Sequence, residues 1–126
     1  MPLVRIDLPA GKSADFRRTI SDVIYDAMIA TINVPLNDRF HIFNEHAPGT
    51  LVADPGYLGV ARSAECMFIQ VTLNEGRTTA MKKTFYKAIA DGLNEQLDVR
   101  REDVFISLVE VNKENWSLGN GEAQYA

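Results

Sequence analysis

The chain matches itself when shifted by 65 residues, and that repeat leaves few folds open. Leu3-Val4-Arg5-Ile6-Asp7-Leu8 falls on Phe68-Ile69-Gln70-Val71-Thr72-Leu73, Gly11-Lys12-Ser13 on Gly76-Arg77-Thr78, and Arg17-Arg18-Thr19 on Lys82-Lys83-Thr84. Further along, Val34 meets Val99, Asp38 meets Asp103 and Phe40 meets Phe105. Identities are few, but the apolar phase and the turn residues agree without a gap, as expected of a duplicated supersecondary unit.

Each half reads as strand, helix, strand. Alternation at Val4, Arg5, Ile6, Asp7 and Leu8 predicts a half-exposed strand over 2–8. Gly11 breaks it, and Ser13 is placed to cap a helix. Phe16, Ile20, Val23, Ile24 and Ala27 recur at helical spacing and give that helix one apolar face. Pro35 is expected to end it, and a strand follows over 39–45. The second half repeats the plan: a strand over 66–73, Gly76, an N-cap at Thr78, an apolar helix face of Met81, Phe85, Ala88, Ile89, Leu93 and Leu97, and a last strand from Val104 to Val111.

These units predict one α+β domain over residues 1–126: βαβ over 2–46, a connecting excursion over 47–65, βαβ over 66–111 and a C-terminal segment over 112–126. The excursion, with Pro48, Gly49, Pro55, Gly56 and Gly59, is long for a structureless connection, so it is expected to cover a site or a neighbouring subunit. Right-handed crossovers place both helices on one face of a four-stranded mixed sheet. The other face is left bare with apolar residues on it, which predicts a homo-oligomer.

Composition narrows the function. A net charge of −4 with no sizeable basic cluster argues against a nucleic-acid partner. No apolar run approaches the ~20 residues of a membrane span, and the opening MPLVRIDL lacks the layout of a signal peptide. Cys66, the single cysteine, excludes an internal disulfide and fits a reducing cytoplasm. It begins an apolar strand and reads as a core residue rather than a nucleophile. His41 and His46 form no recognisable metal set, and no cofactor is expected.

Topology indicates where chemistry can gather. Pro2 starts the first strand and Asp38 precedes the second, so parallel pairing puts both at one edge of the sheet. A pseudo-twofold relation between the units makes the first and third strands antiparallel. That brings Asn74, Glu75, Gly76 and Arg77 to the same edge, together with the amino end of the second helix. Once Met1 is removed, Pro2 offers a rigid secondary amine. An α-amino group titrates near ~8. Such an amine acts as base, acid or carbonyl nucleophile according to its surroundings. Arg77 is either a solvated first-turn residue or a bidentate clamp for a carboxylate. Asp38 either caps a strand, as its repeat mate Asp103 suggests, or tunes Pro2. Trp116 is a packing anchor or a pocket wall.

Four segments extend this picture: Val34-Pro35-Leu36-Asn37-Asp38-Arg39-Phe40, His46-Ala47-Pro48-Gly49, Gly76-Arg77-Thr78 and Asn115-Trp116-Ser117-Leu118-Gly119. With Pro after the initiator Met and the duplicated βαβ unit, they resemble the tautomerase superfamily, and within it the malonate semialdehyde decarboxylase-like group. The similarity spans essentially the whole chain. It implies a homotrimer with sites near subunit interfaces, Pro2 as the catalytic amine, Asp38 as the catalytic aspartate and Arg77 as the carboxylate-binding arginine. Trp116, Phe40 and Leu118 are implied as pocket residues. Two positions depart from the group. Glu75 stands where one branch has a first arginine, and Leu118 stands where Phe is usual. The resemblance implies a cofactor-independent lyase acting on a small 3-oxo acid. Keto-enol tautomerisation of a 2-oxo acid such as phenylpyruvate is the alternative, and a non-catalytic trimeric binding module follows if Met1 is retained.

Overall fold

A computed structural model describes residues 1–126. The principal elements run β1 (Pro2–Pro9), α1 (Ala14–Ile32), β2 (His41–His46), β3 (Met67–Asn74), α2 (Thr79–Leu97) and β4 (Val104–Val111). The strands form one sheet in the order β2-β1-β3-β4. β1 pairs with β2, and β3 with β4, in parallel, whereas β1 and β3 are antiparallel with Pro2 opposite Leu73. The expected four-stranded mixed sheet is therefore present, and the two units meet about a pseudo-twofold axis between β1 and β3.

The duplication persists at the level of single interactions. Ser13 Oγ accepts from the Phe16 N–H at 3.0 Å and Thr78 Oγ1 from the Met81 N–H at 3.2 Å, so both predicted N-caps form. Arg17 pairs with Glu45 and Lys82 with Glu110, each at 2.7 Å, and the two ion pairs are repeat-related. Both helices end on a left-handed residue, Asn33 with φ 58° and Asp98 with φ 54°. After them, the Val34 and Val99 N–H groups reach back to Met28 and Leu93 carbonyls. This corrects the expectation for Pro35: Asn33 stops α1, and Pro35 lies beyond the cap. The second strand also starts two residues later than the sequence indicated.

Period-2 burial explains how the sheet meets the helices. Val4, Ile6 and Leu8 of β1 and Met67, Ile69, Val71 and Leu73 of β3 are buried beneath both helices. They pack with Ile20, Ile24 and Met28 of α1 and Phe85, Ile89 and Leu93 of α2. The helices come close at Gly92, where a Cβ would lie 2.7 Å from Val23 Cγ1. No helix is long and apolar enough to cross a membrane.

The opposite face carries Leu3, Arg5 and Asp7 of β1, Phe68 and Gln70 of β3, and Phe105 and Val109 of β4. Phe68 and Phe105 stack there with centroids 5.0 Å apart, and Phe105 and Val109 remain 43% and 40% exposed. No helix covers this face.

Residues 47–65 hold only a short 3₁₀ turn, Tyr57–Gly59. The Arg62 guanidinium gathers the segment by donating to the carbonyls of Asp54, Tyr57 and Val60. Ser63 then fastens it to the second unit. Its N–H and hydroxyl donate to the two oxygens of buried Asp103, at 2.7 and 2.6 Å.

Candidate active site

The geometry of β1 and β3 decides what surrounds Pro2. Because Pro2 faces Leu73 across an antiparallel pair, the chain leaving β3 turns beside it. The turn passes through Gly76, whose φ of +122° is in the region that favours glycine, and enters α2. β2 begins on the other side of β1, where the Val4 N–H donates to the Phe40 carbonyl at 2.9 Å. That contact places Asp38, just upstream, against the chain terminus.

Asp38 Oδ2 lies 3.5 Å from the Met1 amino nitrogen, with side-chain exposures of 11% and 6%. Asp38 Oδ1 is buried without a hydrogen-bond partner. Its repeat mate contrasts with it. Asp103 is 1% exposed, takes both Ser63 donors, and has the Arg100 guanidinium at 3.5 Å. One aspartate of the repeat is thus satisfied by its surroundings, while the other keeps an unused oxygen. With Met1 in place the Pro2 nitrogen is an amide.

Arg77 precedes the cap Thr78, so it is not the first-turn residue the sequence suggested. It is partly buried and bound to backbone. Nε donates to the Ile32 carbonyl at 3.0 Å and Nη1 to the Asn74 carbonyl at 3.2 Å. The first contact satisfies a carbonyl in the last turn of α1. A guanidinium has five N–H donors, so three are left. Glu110 lies close by, where Lys82 holds its carboxyl below the usual range, aided by the Gly76 N–H and the Arg77 charge.

Trp116 follows β4. The Glu75 N–H donates to the Val111 carbonyl at 3.0 Å, which brings the chain after β4 alongside the β3–α2 turn. From there the indole N–H of Trp116 donates to Asn74 Oδ1 at 2.7 Å. Pro2, Asp38, Arg77 and Trp116 are therefore gathered at one end of the sheet. Phe40 borders them at the start of β2, 48% exposed. Leu118 is 39% exposed, and its N–H is engaged by Gln124 within the C-terminal tail. Sequence reasoning placed Asn74 at this edge but assigned it no role. The signal was a polar residue at the end of β3, next to the Gly76-Arg77-Thr78 segment.

The other end of the sheet carries the repeat mates and a different chemistry. Lys12, equivalent to Arg77, pairs with Glu65 at 3.0 Å. Met67 stands in place of Pro2. A hollow of about 220 Å³ lies here, lined among others by Leu8, Lys12, Phe16, Met67 and Asp103. A well-formed hollow and the groups suited to catalysis are thus at opposite ends of the isolated chain. Cys66 is 3% exposed, and burial, with the Asp103 charge adding, pushes its thiol above the usual range. It is a core residue rather than an activated nucleophile. His41 is bound to Ser21 Oγ at 2.7 Å, and burial together with the Arg39 charge lowers it to about 4.

Comparisons with known proteins identify the family. Two profiles described as tautomerase enzyme match residues 38–119 and 2–61. A probable tautomerase of Bacillus subtilis, YusQ, is 42% identical over 124 residues, covering 98% of each chain. The crystal structure of FG41 malonate semialdehyde decarboxylase inhibited by 3-bromopropiolate is 37% identical with a TM-score of 0.91, over 98% of this chain and 93% of that one. A fused 4-OT, solved as a symmetric trimer, shares the fold at a TM-score of 0.79 and 22% identity, over 98% and 97% of the two chains. With its duplicated βαβ units joined antiparallel through β1 and β3, this chain belongs to the tautomerase superfamily of enzymes, in the malonate semialdehyde decarboxylase-like group.

Proposed function

We propose that Met1 is removed and that the freed secondary amine of Pro2 decarboxylates a small 3-oxo acid of the malonate semialdehyde type. The observation that carries this reading is the half-used carboxylate of Asp38. One of its oxygens lies 3.5 Å from the Met1 amino nitrogen, one residue before Pro2, and the other is buried and unpartnered. An amine on the Pro2 ring beside that carboxylate is favoured in its protonated form.

The chemistry then follows from the group types. Arg77 holds the substrate carboxylate with the N–H donors not used on Ile32 and Asn74. Protonated Pro2 donates to the aldehyde oxygen. As the bond between the carboxylate carbon and its neighbour breaks, the electron pair passes into the forming enol and carbon dioxide leaves. The enol takes a proton from solvent at carbon and returns its hydroxyl proton to Pro2, which restores both the aldehyde and the protonated amine with one proton consumed in all. Asp38 stabilises the amine while it carries the proton. Trp116, Phe40 and Leu118 form walls that limit water, which strengthens each charge interaction. The bare sheet face supports assembly as a homotrimer, the state in which the fused 4-OT of the same fold was solved.

The YusQ relative, named a probable tautomerase, favours a second reading. There Pro2 is neutral and acts as a base in keto-enol interconversion of a 2-oxo acid such as phenylpyruvate. Both are tested on one preparation. Intact-mass measurement is expected to show the chain without Met1, and malonate semialdehyde is expected to release carbon dioxide. An Arg77→Lys variant, which keeps the charge but loses the planar fork, is expected to lower kcat/KM at least ~100-fold, about 2.7 kcal/mol of transition-state stabilisation. Ketonisation of phenylpyruvate enol without carbon dioxide release would replace the first reading with the second. Retained Met1 with neither activity would leave a trimeric binding module.

A further inference from the structure

We propose that Asn74 is a positioning residue that holds the Trp116 indole and the Arg77 guanidinium in mutual register at the active end of the sheet. This deepens the functional reading above and rests on it for the roles of Arg77 and Trp116.

Three observations carry the inference. First, Asn74 is 8% exposed and, with Asp103, one of two polar side chains fully within the buried set. Burial of an amide is unfavourable unless its hydrogen bonds are made, so its presence calls for a specific use. Secondly, it serves two partners at once. Its side-chain Oδ1 accepts from Trp116 Nε1 at 2.7 Å, and its backbone carbonyl accepts from Arg77 Nη1 at 3.2 Å. An indole N–H only donates, which fixes the amide with oxygen toward the tryptophan. Thirdly, the fold does not require an amide there. The repeat mate of Asn74 is Pro9, which ends β1 with no side-chain acceptor. The mate of Arg77 is Lys12, paired instead with Glu65. The two ends of the sheet share caps and ion pairs but differ at this clamp.

The clamp has a chemical consequence. Trp116 sits in an exposed segment after β4, joined to β3 through this side chain. Releasing it frees a pocket wall next to the carboxylate-binding arginine, without altering Pro2 or Asp38. Substrate capture is then impaired more than the chemical step.

Trp116 is the only tryptophan, so its emission reports the clamp directly and without substrate. In Asn74→Ala, the emission is expected to shift to longer wavelength and acrylamide quenching to rise at least twofold. KM for the turned-over oxo acid is expected to rise about tenfold, with kcat within threefold. Asn74→Asp, which keeps an acceptor toward the indole, is expected to retain the parent emission. Trp116→Phe removes the N–H but keeps a ring, and it should raise KM to a similar extent. The double variant Asn74→Ala/Trp116→Phe should be no worse than either single one, as for residues acting as a unit.

Unchanged emission and quenching in Asn74→Ala would overturn the proposal, as would altered emission with unchanged KM, or additive effects in the double variant. If the parent enzyme turns over neither malonate semialdehyde nor phenylpyruvate, the functional reading has failed on its own account. The emission and quenching of Asn74→Ala then still decide whether Asn74 holds Trp116.

Discussion

Asp38 and Asp103 occupy the same place in the repeat and do different work. Asp103 has an oxygen for each Ser63 donor and is sealed from water, so its removal leaves the Ser63 N–H and hydroxyl without their acceptor. Asp103→Ala is expected to destabilise the chain by about 1–3 kcal/mol, read as a lower urea midpoint at unchanged slope. Asp38→Asn is expected to leave that midpoint almost unchanged while reducing turnover at least tenfold. Equal loss of stability in the two would make Asp38 structural as well. The sequence aligned the two aspartates and left Asp38 open between a capping role shared with Asp103 and the tuning of Pro2. What separates them is Ser63, which lies in the excursion that only one repeat is followed by, and no periodicity links it to Asp103. Arg77 was legible as a candidate from its place after Gly76. Its two backbone bonds were not, because they depend on where α1 ends in space. The fourfold gathering of Pro2, Asp38, Arg77 and Trp116 was legible in part, since strand direction brings Pro2 and Asp38 to one edge and a pseudo-twofold relation between the units adds Arg77.

Helices and strands were the most readable level. Ser13 and Thr78 announce their helices, and the cap bonds form as the sequence indicates. Helix ends were less readable because a left-handed Asn33 or Asp98 carries no strong local signature, and Pro35 is the louder signal. The contact between α1 and α2 was not legible at all. It depends on Gly92, an apparent weak point inside a helix that permits the close approach of Val23. Gly92→Ala gains up to ~1 kcal/mol in helix propensity but forces a Cβ against a stiff, β-branched side chain in a packed layer. Overpacking of this kind costs about 1–3 kcal/mol, so the net expectation is a loss of about 1 kcal/mol in thermal unfolding. Adding Val23→Ala should remove the clash and recover part of that loss; a stabilised single variant would show that the helices can separate freely.

The whole molecule has one covered and one uncovered face. An uncovered sheet bearing Phe68, Phe105 and Val109 is the face on which the proposed assembly with further copies of the chain rests. Sedimentation equilibrium is expected to give three times the chain mass, and Val109→Lys to shift the population toward monomer; an unmoved assembly would place the interface elsewhere. The bare face was legible from two right-handed crossovers, whereas copy number is a property of surface shape that one chain's pattern does not encode. The antiparallel meeting of β1 and β3 has one more consequence. Doubling a βαβ unit within one chain doubles every side chain, cap and ion pair, yet it cannot double an amino terminus. If the chemistry belongs to the terminal amine, the ancestral duplication created one heir to the reaction and one sibling without it. Selection on the reaction then acts on the Asn74–Arg77 end alone, leaving the Pro9–Lys12 end free to drift toward other uses.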